Sequence, residues 1–162
     1  MKLSQKIEEG LNLQMHHEFD SAYIYLGLAA VLDATVFTGF GHWMRKQYEE
    51  ELTHAMKFYH FINERHGKIC LRDLIKPDFM ITTPLQAFEK AYQAELDNTQ
   101  NIHRLYALSV EEKDYATQEF LHYFIKEQVE EENTVQMIVD QLKFVGDRPA
   151  ALFSLDQRAG QR

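Results

Sequence analysis

The sequence has few residues that interrupt helices, with only 7 glycines and 3 prolines among 162 residues. Its single cysteine, Cys70, excludes an internal disulfide and is typical of a reducing compartment, so we expect a cytoplasmic location. No apolar run is long enough to cross a membrane, and residues 1–14 lack the apolar region of a signal peptide. We therefore expect no membrane association.

Basic residues are also scarce: 17 lysines and arginines stand against 25 aspartates and glutamates, which gives a net charge of −8. Nucleic acid is not an expected partner, because phosphate binding needs a basic surface. An acidic protein can attract cations, although ordinary solubility accounts for the same charge. The 45% hydrophobic and 26% charged residues are typical of a folded, helix-rich domain.

Helical periodicity is abundant and falls into four long segments. They cover about residues 4–33, 36–66, 83–112 and 114–145, and a short fifth helix covers about residues 148–158. Thr83-Pro84-Leu85-Gln86 is a capping-box sequence, Asp114 is a good N-cap, and Gly67 is suited to end the second helix. The sequence thus predicts an all-α fold.

The connections predict how the helices pack. The first and second helices, and the third and fourth, are joined by short loops and should be antiparallel neighbours. The second and third are separated by residues 68–82, which show no helical period. About 15 extended residues reach about 50 Å, enough to follow a helix about 45 Å long. This crossover makes the second and third helices parallel. Its expected anchors on the bundle are Ile69, Leu71, Leu74, Ile75, Phe79 and Ile81.

Each long helix carries a glutamate near the middle of its apolar stripe, namely Glu18, Glu51, Glu95 and Glu131. In a bundle of equal helices these midpoints lie at one level, where unpaired buried carboxylates would be very costly. Two divalent cations would balance the four negative charges. The alternative is that some helices are rotated and their glutamates lie at the surface, since glutamate is rarely buried.

The available ligands favour a metal that accepts oxygen and nitrogen. Carboxylates with one imidazole from His54 and one amide from Gln128 suit Fe(II) or Mn(II), and Zn(II) also fits. Glu51-Leu52-Thr53-His54 places two ligands one turn apart on one helix face. Glu119-Phe120-Leu121-His122 has the same spacing but lies off the apolar stripe, so we predict a surface position for that pair.

Taken together, these residues resemble the ferritins, specifically the bacterial haem-free ferritins. The resemblance covers essentially the whole chain and includes the single long crossover. It implies one ferritin-like domain over residues 1–162, with the four-helix bundle at about 4–145 and the fifth helix at about 148–158. The residues that carry it are Glu18, Tyr25, Glu50-Glu51-Leu52-Thr53-His54, Glu95 and Glu127-Gln128-Val129-Glu130-Glu131.

The resemblance implies two iron sites in each subunit. Glu18, Glu51 and His54 would hold the first iron, with Glu51 bridging to the second. Glu51, Glu95 and Glu131 would hold the second iron.

The resemblance also implies roles around these two ions. Gln128 would orient ligands or an oxygen species by hydrogen bonding, and Glu50, Glu127 and Glu130 would form a third iron site. Two interpretations of Tyr25 stand side by side. It supplies an electron near the site, or it is a core tyrosine with a satisfied hydroxyl.

The implied activity is a ferroxidase: Fe(II) is oxidised to Fe(III) by O2 or H2O2 and stored as ferric mineral inside a hollow homo-oligomer of twenty-four subunits. The fourth helix lacks the second Glu-x-x-His pair of di-iron oxygenases, so the second iron should be held more loosely. Leu52 stands where bacterioferritins have a haem-binding methionine, so no haem is expected. Three alternatives remain: a peroxide-scavenging or oxygenase bundle, a non-catalytic structural subunit or metal scaffold, and a haem-containing shell.

Overall fold

The computed structural model describes residues 2–161, and this part of the chain folds into five α-helices without strands. The all-α fold predicted from the sequence is therefore confirmed. None of the helices in this range has the length and apolar character that crossing a membrane requires. The helices are α1 (Gln5–Asp33), α2 (Thr38–Glu64), α3 (Pro84–Glu111), α4 (Tyr115–Val145) and α5 (Pro149–Ala159).

The helix starts follow the capping residues in the sequence. The Thr83 hydroxyl accepts a hydrogen bond from the backbone N–H of Gln86 at 3.2 Å, and Pro84 occupies the first turn. The Gln86 side chain reaches back one residue further than a capping box requires, and accepts from the N–H of Thr82 at 2.9 Å. Asp114 caps α4 as predicted, since it accepts from the N–H of Thr117 at 3.0 Å.

The second helix is shorter at both ends than predicted. It begins at Thr38 and ends at Glu64, and the left-handed residue after it is His66, with φ of 56°. Gly67 was predicted to end the helix, and its N–H bonds to the Ile62 carbonyl at 2.9 Å just after this left-handed residue. Its lack of a side chain also leaves room for a neighbour. A Cβ at this position would lie 2.7 Å from Leu3 Cδ1. The carboxyl end of α2 can therefore lie close to the start of the chain.

Two apolar clusters fill the bundle, one at each end. The first joins the carboxyl halves of α1 and α4 to the amino halves of α2 and α3, and the second joins the opposite halves. The amino ends of α2 and α3 thus lie at the same end of the bundle, so these two helices are parallel as predicted. Central members of the clusters include Tyr25, Phe40 and Phe88 in the first, and Leu11, Phe58 and Phe124 in the second.

The crossover runs from the second cluster to the first. Ile69 packs against the second cluster, and Phe79 and Ile81 pack against the first. An extended chain can turn only part of its side chains toward the bundle. The prediction of anchoring contacts was wrong for Leu71, Leu74 and Ile75, which are exposed.

The fifth helix caps the second. Within the described chain, Phe37 at the N-cap of α2 provides no side-chain hydrogen bond to the first turn. Asp156 of α5 is buried instead, and its Oδ1 accepts from the backbone N–H of Phe40 at 2.8 Å. Gly39 permits this approach, because a Cβ there would lie 1.9 Å from the Asp156 carbonyl oxygen. The tail therefore folds as a helix docked on the bundle.

Candidate metal centre

A layer of polar side chains separates the two apolar clusters at mid-bundle. It contains the four glutamates of the apolar stripes, Glu18, Glu51, Glu95 and Glu131, whose exposures are 0%, 0%, 1% and 6%. Their predicted burial is confirmed, and the alternative in which rotated helices expose them is excluded. Four buried carboxylates therefore meet in one layer, where charge must be compensated.

Glu18, Glu51 and His54 form the best-defined ligand group of the layer. Each offers one ligand atom, and these atoms all lie within 4.8 Å of one another. Both carboxylate oxygens of Glu51 and Nδ1 of His54 are buried without a hydrogen-bond partner among residues 2–161. His54 Nδ1 lies 3.7 Å from Glu51 Oε2, too far for a hydrogen bond. A divalent cation would satisfy all three atoms, so these residues fit a metal.

The carboxylates of Glu95 and Glu131 are held by neutral donors. The Tyr25 hydroxyl donates to Glu95 Oε1, and Gln128 Nε2 donates to Glu95 Oε2 at 3.2 Å. Gln47 Nε2 donates to Glu131 Oε2 at 2.8 Å. Neutral donors fix the position of a carboxylate without supplying positive charge, so a cation is still needed to balance these groups when they are ionised.

Glu18 is held by two side chains for which the sequence motifs predict no role. Gln14 Nε2 donates to Glu18 Oε1 at 2.8 Å, and Asn98 Nδ2 donates to Glu18 Oε2 at 3.1 Å. Gln47, which donates to Glu131, also lies outside the predicted motifs. The spacing of Gln14, four residues before Glu18, was the signal that could have found it. Asn98 and Gln47 were recognisable as further polar residues on buried stripes.

Burial and like charge shift the pKa values of the centre. Burial, followed by the Glu95 and Glu18 carboxylates, raises the pKa of Glu51 well above its ordinary value. Burial raises the pKa of Glu95 to about 7, although the hydrogen bonds from Tyr25 and Gln128 oppose the shift. The metal-free centre is therefore short of positive charge.

Burial acts in the opposite sense on the imidazole. It lowers the pKa of His54, and this favours the neutral ring that a metal ligand must be. Burial, reinforced by the charges of Glu95 and Glu51, raises the pKa of the Tyr25 phenol well above its usual range. Tyr25 is thus a protonated hydrogen-bond donor in the metal-free centre.

A second ligand group lies beside the first. Ligand atoms of Glu50, His54 and Glu127 lie within 4.8 Å of one another, and both glutamates are partly exposed. Glu130, which was predicted to complete a third iron site with Glu50 and Glu127, is exposed and belongs to neither group. His54 was not predicted to belong to this second group, and the role of Glu130 stays a prediction.

The second Glu-x-x-His pair is at the surface, as its position off the apolar stripe predicts. The side chains of Glu119 and His122 are 85% and 57% exposed, and Glu119 Oε2 lies 3.3 Å from His122 Nδ1. Both groups lie at the surface, where the His122 ring also contacts Tyr106, so they form no part of the buried layer.

Comparison with known proteins agrees with this geometry. A family model described as a ferritin-like domain matches residues 8–145. The chain belongs to the ferritin family. It is 38% identical over 163 residues to a bacterial non-heme ferritin of Bacteroides fragilis, with 99% of each chain covered. It is 33% identical over 160 residues to that of Staphylococcus aureus, which covers 99% of this chain and 96% of the relative.

A solved structure extends the likeness to three dimensions. The open pore ferritin from the archaeon Archaeoglobus fulgidus is 41% identical, with a TM-score of 0.97 and 99% of each chain covered. The resemblance to ferritins drawn from the sequence motifs is confirmed, as is the ferritin fold.

Proposed function

We propose that this ferritin is an iron-storage protein with ferroxidase activity at a di-iron centre inside each subunit. The observation that carries the proposal is the unsatisfied set of atoms on Glu51 and His54, at the meeting point of four buried glutamates. Two Fe(II) ions bring four positive charges, which balance the four carboxylates.

The two ions have different ligand sets. Glu18, Glu51 and His54 hold the first, and their ligand atoms lie close enough together to bind one ion. Glu95 and Glu131 hold the second with Glu51, whose two oxygens lack other partners in residues 2–161 and can bridge. The second iron has carboxylate ligands without an imidazole. It is bound more loosely, as suits a substrate that must leave after oxidation.

The chemistry is a two-electron reaction. Each Fe(II) gives one electron, and O2 takes the two electrons and two protons to become H2O2. When H2O2 is the oxidant, it takes two electrons and two protons to become two water molecules. The chain fixes the two ions side by side, and its carboxylates stabilise Fe(III) relative to Fe(II). Gln128 and Tyr25 hold Glu95 in place through the donors described above.

The second ligand group offers a route by which Fe(III) can leave the di-iron centre. His54 belongs to both groups, while Glu50 and Glu127 are partly exposed. We assign Glu50 and Glu127, with Glu130 further toward solvent, to a third iron site between the di-iron centre and the storage cavity. Hard carboxylate ligands and access to water suit Fe(III) at this position.

Storage also needs a closed container, so the functional unit is a homo-oligomeric shell, for which we propose twenty-four subunits. Apolar side chains on α4 and α5 support an assembly, because Met137, Phe144 and Phe153 are exposed at least by half. Exposed apolar surface of this kind marks contacts between subunits.

The test is an anaerobic Fe(II) titration followed by rapid mixing with O2, on wild type and on Glu51→Ala. Wild type should saturate the fast reaction at about two irons per chain and use about two Fe(II) per O2 in the first turnover. Glu51→Ala should lose the fast coloured ferric phase, and Glu119→Ala, the matched surface variant, should keep it. Tight binding of Fe(II) to wild type without a fast phase would contradict the ferroxidase proposal.

A further inference from the structure

Glu18 is held in a closed ring of three side chains. Gln14 Nε2 donates to Glu18 Oε1 at 2.8 Å, and its second N–H donates to Asn98 Oδ1 at 2.7 Å. Asn98 Nδ2 completes the ring by donating to Glu18 Oε2 at 3.1 Å. Gln14 and Glu18 stand on α1 and Asn98 on α3, so the ring joins two helices across the bundle.

All three members of the ring are almost fully buried, at 1% exposure or less for Gln14 and Glu18 and 3% for Asn98. Water therefore does not compete for these hydrogen bonds. Gln14 Oε1 is buried without a hydrogen-bond partner in the described chain. The amide thus gives both of its donors to the ring while its own oxygen goes unsatisfied. A buried unsatisfied oxygen is destabilising. The two hydrogen bonds donated by the Gln14 amide to Glu18 and Asn98 are therefore what favours this residue here.

The ring leaves Glu18 able to bind a metal. Each carboxylate oxygen has two lone pairs, and the ring uses one on each. The remaining pairs are available toward Glu51 and His54, whose ligand atoms lie within 4.8 Å. Glu51 differs, because neither of its oxygens has a hydrogen-bond donor among residues 2–161. Glu18 is therefore the ligand of the pair whose carboxylate is held by hydrogen bonds from two amides.

We propose that Gln14 and Asn98 are positioning residues that hold the Glu18 carboxylate ready for the first metal ion, an inference that rests on the proposed function. A ligand already held in its binding orientation loses less conformational freedom when the ion arrives. Hydrogen-bond partners of metal ligands typically account for about 10–100-fold in metal affinity. The ring therefore sets the affinity and the geometry of the first site.

The test uses Co(II), which binds oxygen and nitrogen ligands and whose visible d–d absorption reports coordination geometry. Anaerobic titration of Asn98→Leu should show first-ion binding weaker than wild type by about 10–100-fold, with altered d–d bands at saturation. Gln14→Leu should change both measurements in the same direction. A merely structural role would leave the spectrum of the bound ion unchanged.

Asn12→Leu is the matched control. Asn12 is a buried amide on α1, but it donates to the carbonyls of Glu8 and Lys68 and accepts from the N–H of Cys70, away from the centre. This variant should melt at a lower temperature while keeping the Co(II) affinity and spectrum of wild type.

Two outcomes would overturn the inference. One is a folded Asn98→Leu protein that binds its first Co(II) with wild-type affinity and spectrum. The other is an equal loss in Asn12→Leu, which would assign the effect to general destabilisation. If Asn98→Leu fails to fold, Gln14→Leu decides by the same two measurements. Co(II) binding needs no oxidation, so this inference and the ferroxidase proposal can fail independently.

Discussion

Two Glu-x-x-His pairs with the same spacing occupy opposite environments in this molecule. Glu51 and His54 on α2 are exposed by 0% and 2% at their side chains, while Glu119 and His122 on α4 are exposed by 85% and 57%. The separations between oxygen and nitrogen are similar, 3.7 Å and 3.3 Å. Spacing alone therefore does not make a metal site. Whether the pair lies on the buried apolar face of its helix or on the exposed face decides whether it can form a metal site.

The two pairs differ physically in how their charges are stabilised. Water and salt screen the exposed pair, so its two groups gain little from each other and need no further partner. The buried pair has lost its water, and the donors around it hold Glu18, Glu95 and Glu131 instead of Glu51. The Glu51 oxygens and His54 Nδ1 have lost water without gaining a hydrogen bond, so a cation that contacts all of them is strongly favoured.

The largest expected difference between the two pairs is in Fe(II) affinity, when the histidine of each pair is replaced by alanine. His54→Ala should weaken binding of the first Fe(II) by more than about 100-fold, because a direct ligand contributes more than an outer partner does. His122→Ala should leave the affinity unchanged, since its side chain lies in solvent. Anaerobic Fe(II) titration measures both. Equal affinities in the two variants would remove the distinction between the buried and the exposed pair.

Neutralising each glutamate should change stability next most strongly. Glu51 has a raised pKa in the folded state, so its contribution is present below the unfolded value near 4.5 and is lost as pH rises. Metal-free Glu51→Gln should therefore melt above wild type by about 5 °C at pH 8, with the gap closing toward pH 4.5. Glu119→Gln is the control and should follow the wild-type melting curve throughout. A gap that shrinks with rising pH would show that Glu51 is not destabilised by burial.

Ionisation of Glu95 should also destabilise the metal-free protein as pH rises, but over a narrower pH range. Its pKa is about 7 in the folded protein against an ordinary 4.5, so wild type loses stability as pH rises between these values. Glu95→Gln should make the melting temperature of the metal-free protein less dependent on pH in this window. The change should be smaller than for Glu51, because Tyr25 and Gln128 hydrogen-bond to the ionised form. Calorimetric melting between pH 4.5 and 8 checks it, and an unchanged slope would contradict the assignment.

The smallest expected effect is on the exposed pair itself. Glu119→Ala, His122→Ala and the double variant should each melt within about 1 °C of wild type, because solvated ion pairs contribute little. A double-mutant cycle by thermal melting measures the coupling. A clear coupling there would mean that the surface pair is more than a solvated contact.

Much of this architecture could be read from the sequence, because burial at regular spacing leaves a pattern. The glutamates were recognisable as breaks in apolar stripes, and Thr83 and Asp114 act through local backbone contacts. The exposed Leu71 was missed, because an extended crossover has no period that tells inward from outward residues. Asn98 was missed because its contact with Glu18 joins residues 80 positions apart on two helices, whereas the local spacing of Gln14 and Glu18 was visible in the sequence.

No hydrogen-bond donor in the described chain stabilises the ionised form of Glu51, so an arriving iron ion has to replace a proton there. With its pKa raised, and that of Glu95 near 7, the metal-free centre carries protons on groups that must be deprotonated to bind a cation. Each arriving ion therefore expels protons before any oxidant takes part. Loading is a cation exchange, so iron uptake should acidify an unbuffered solution and should become tighter as the surrounding pH rises.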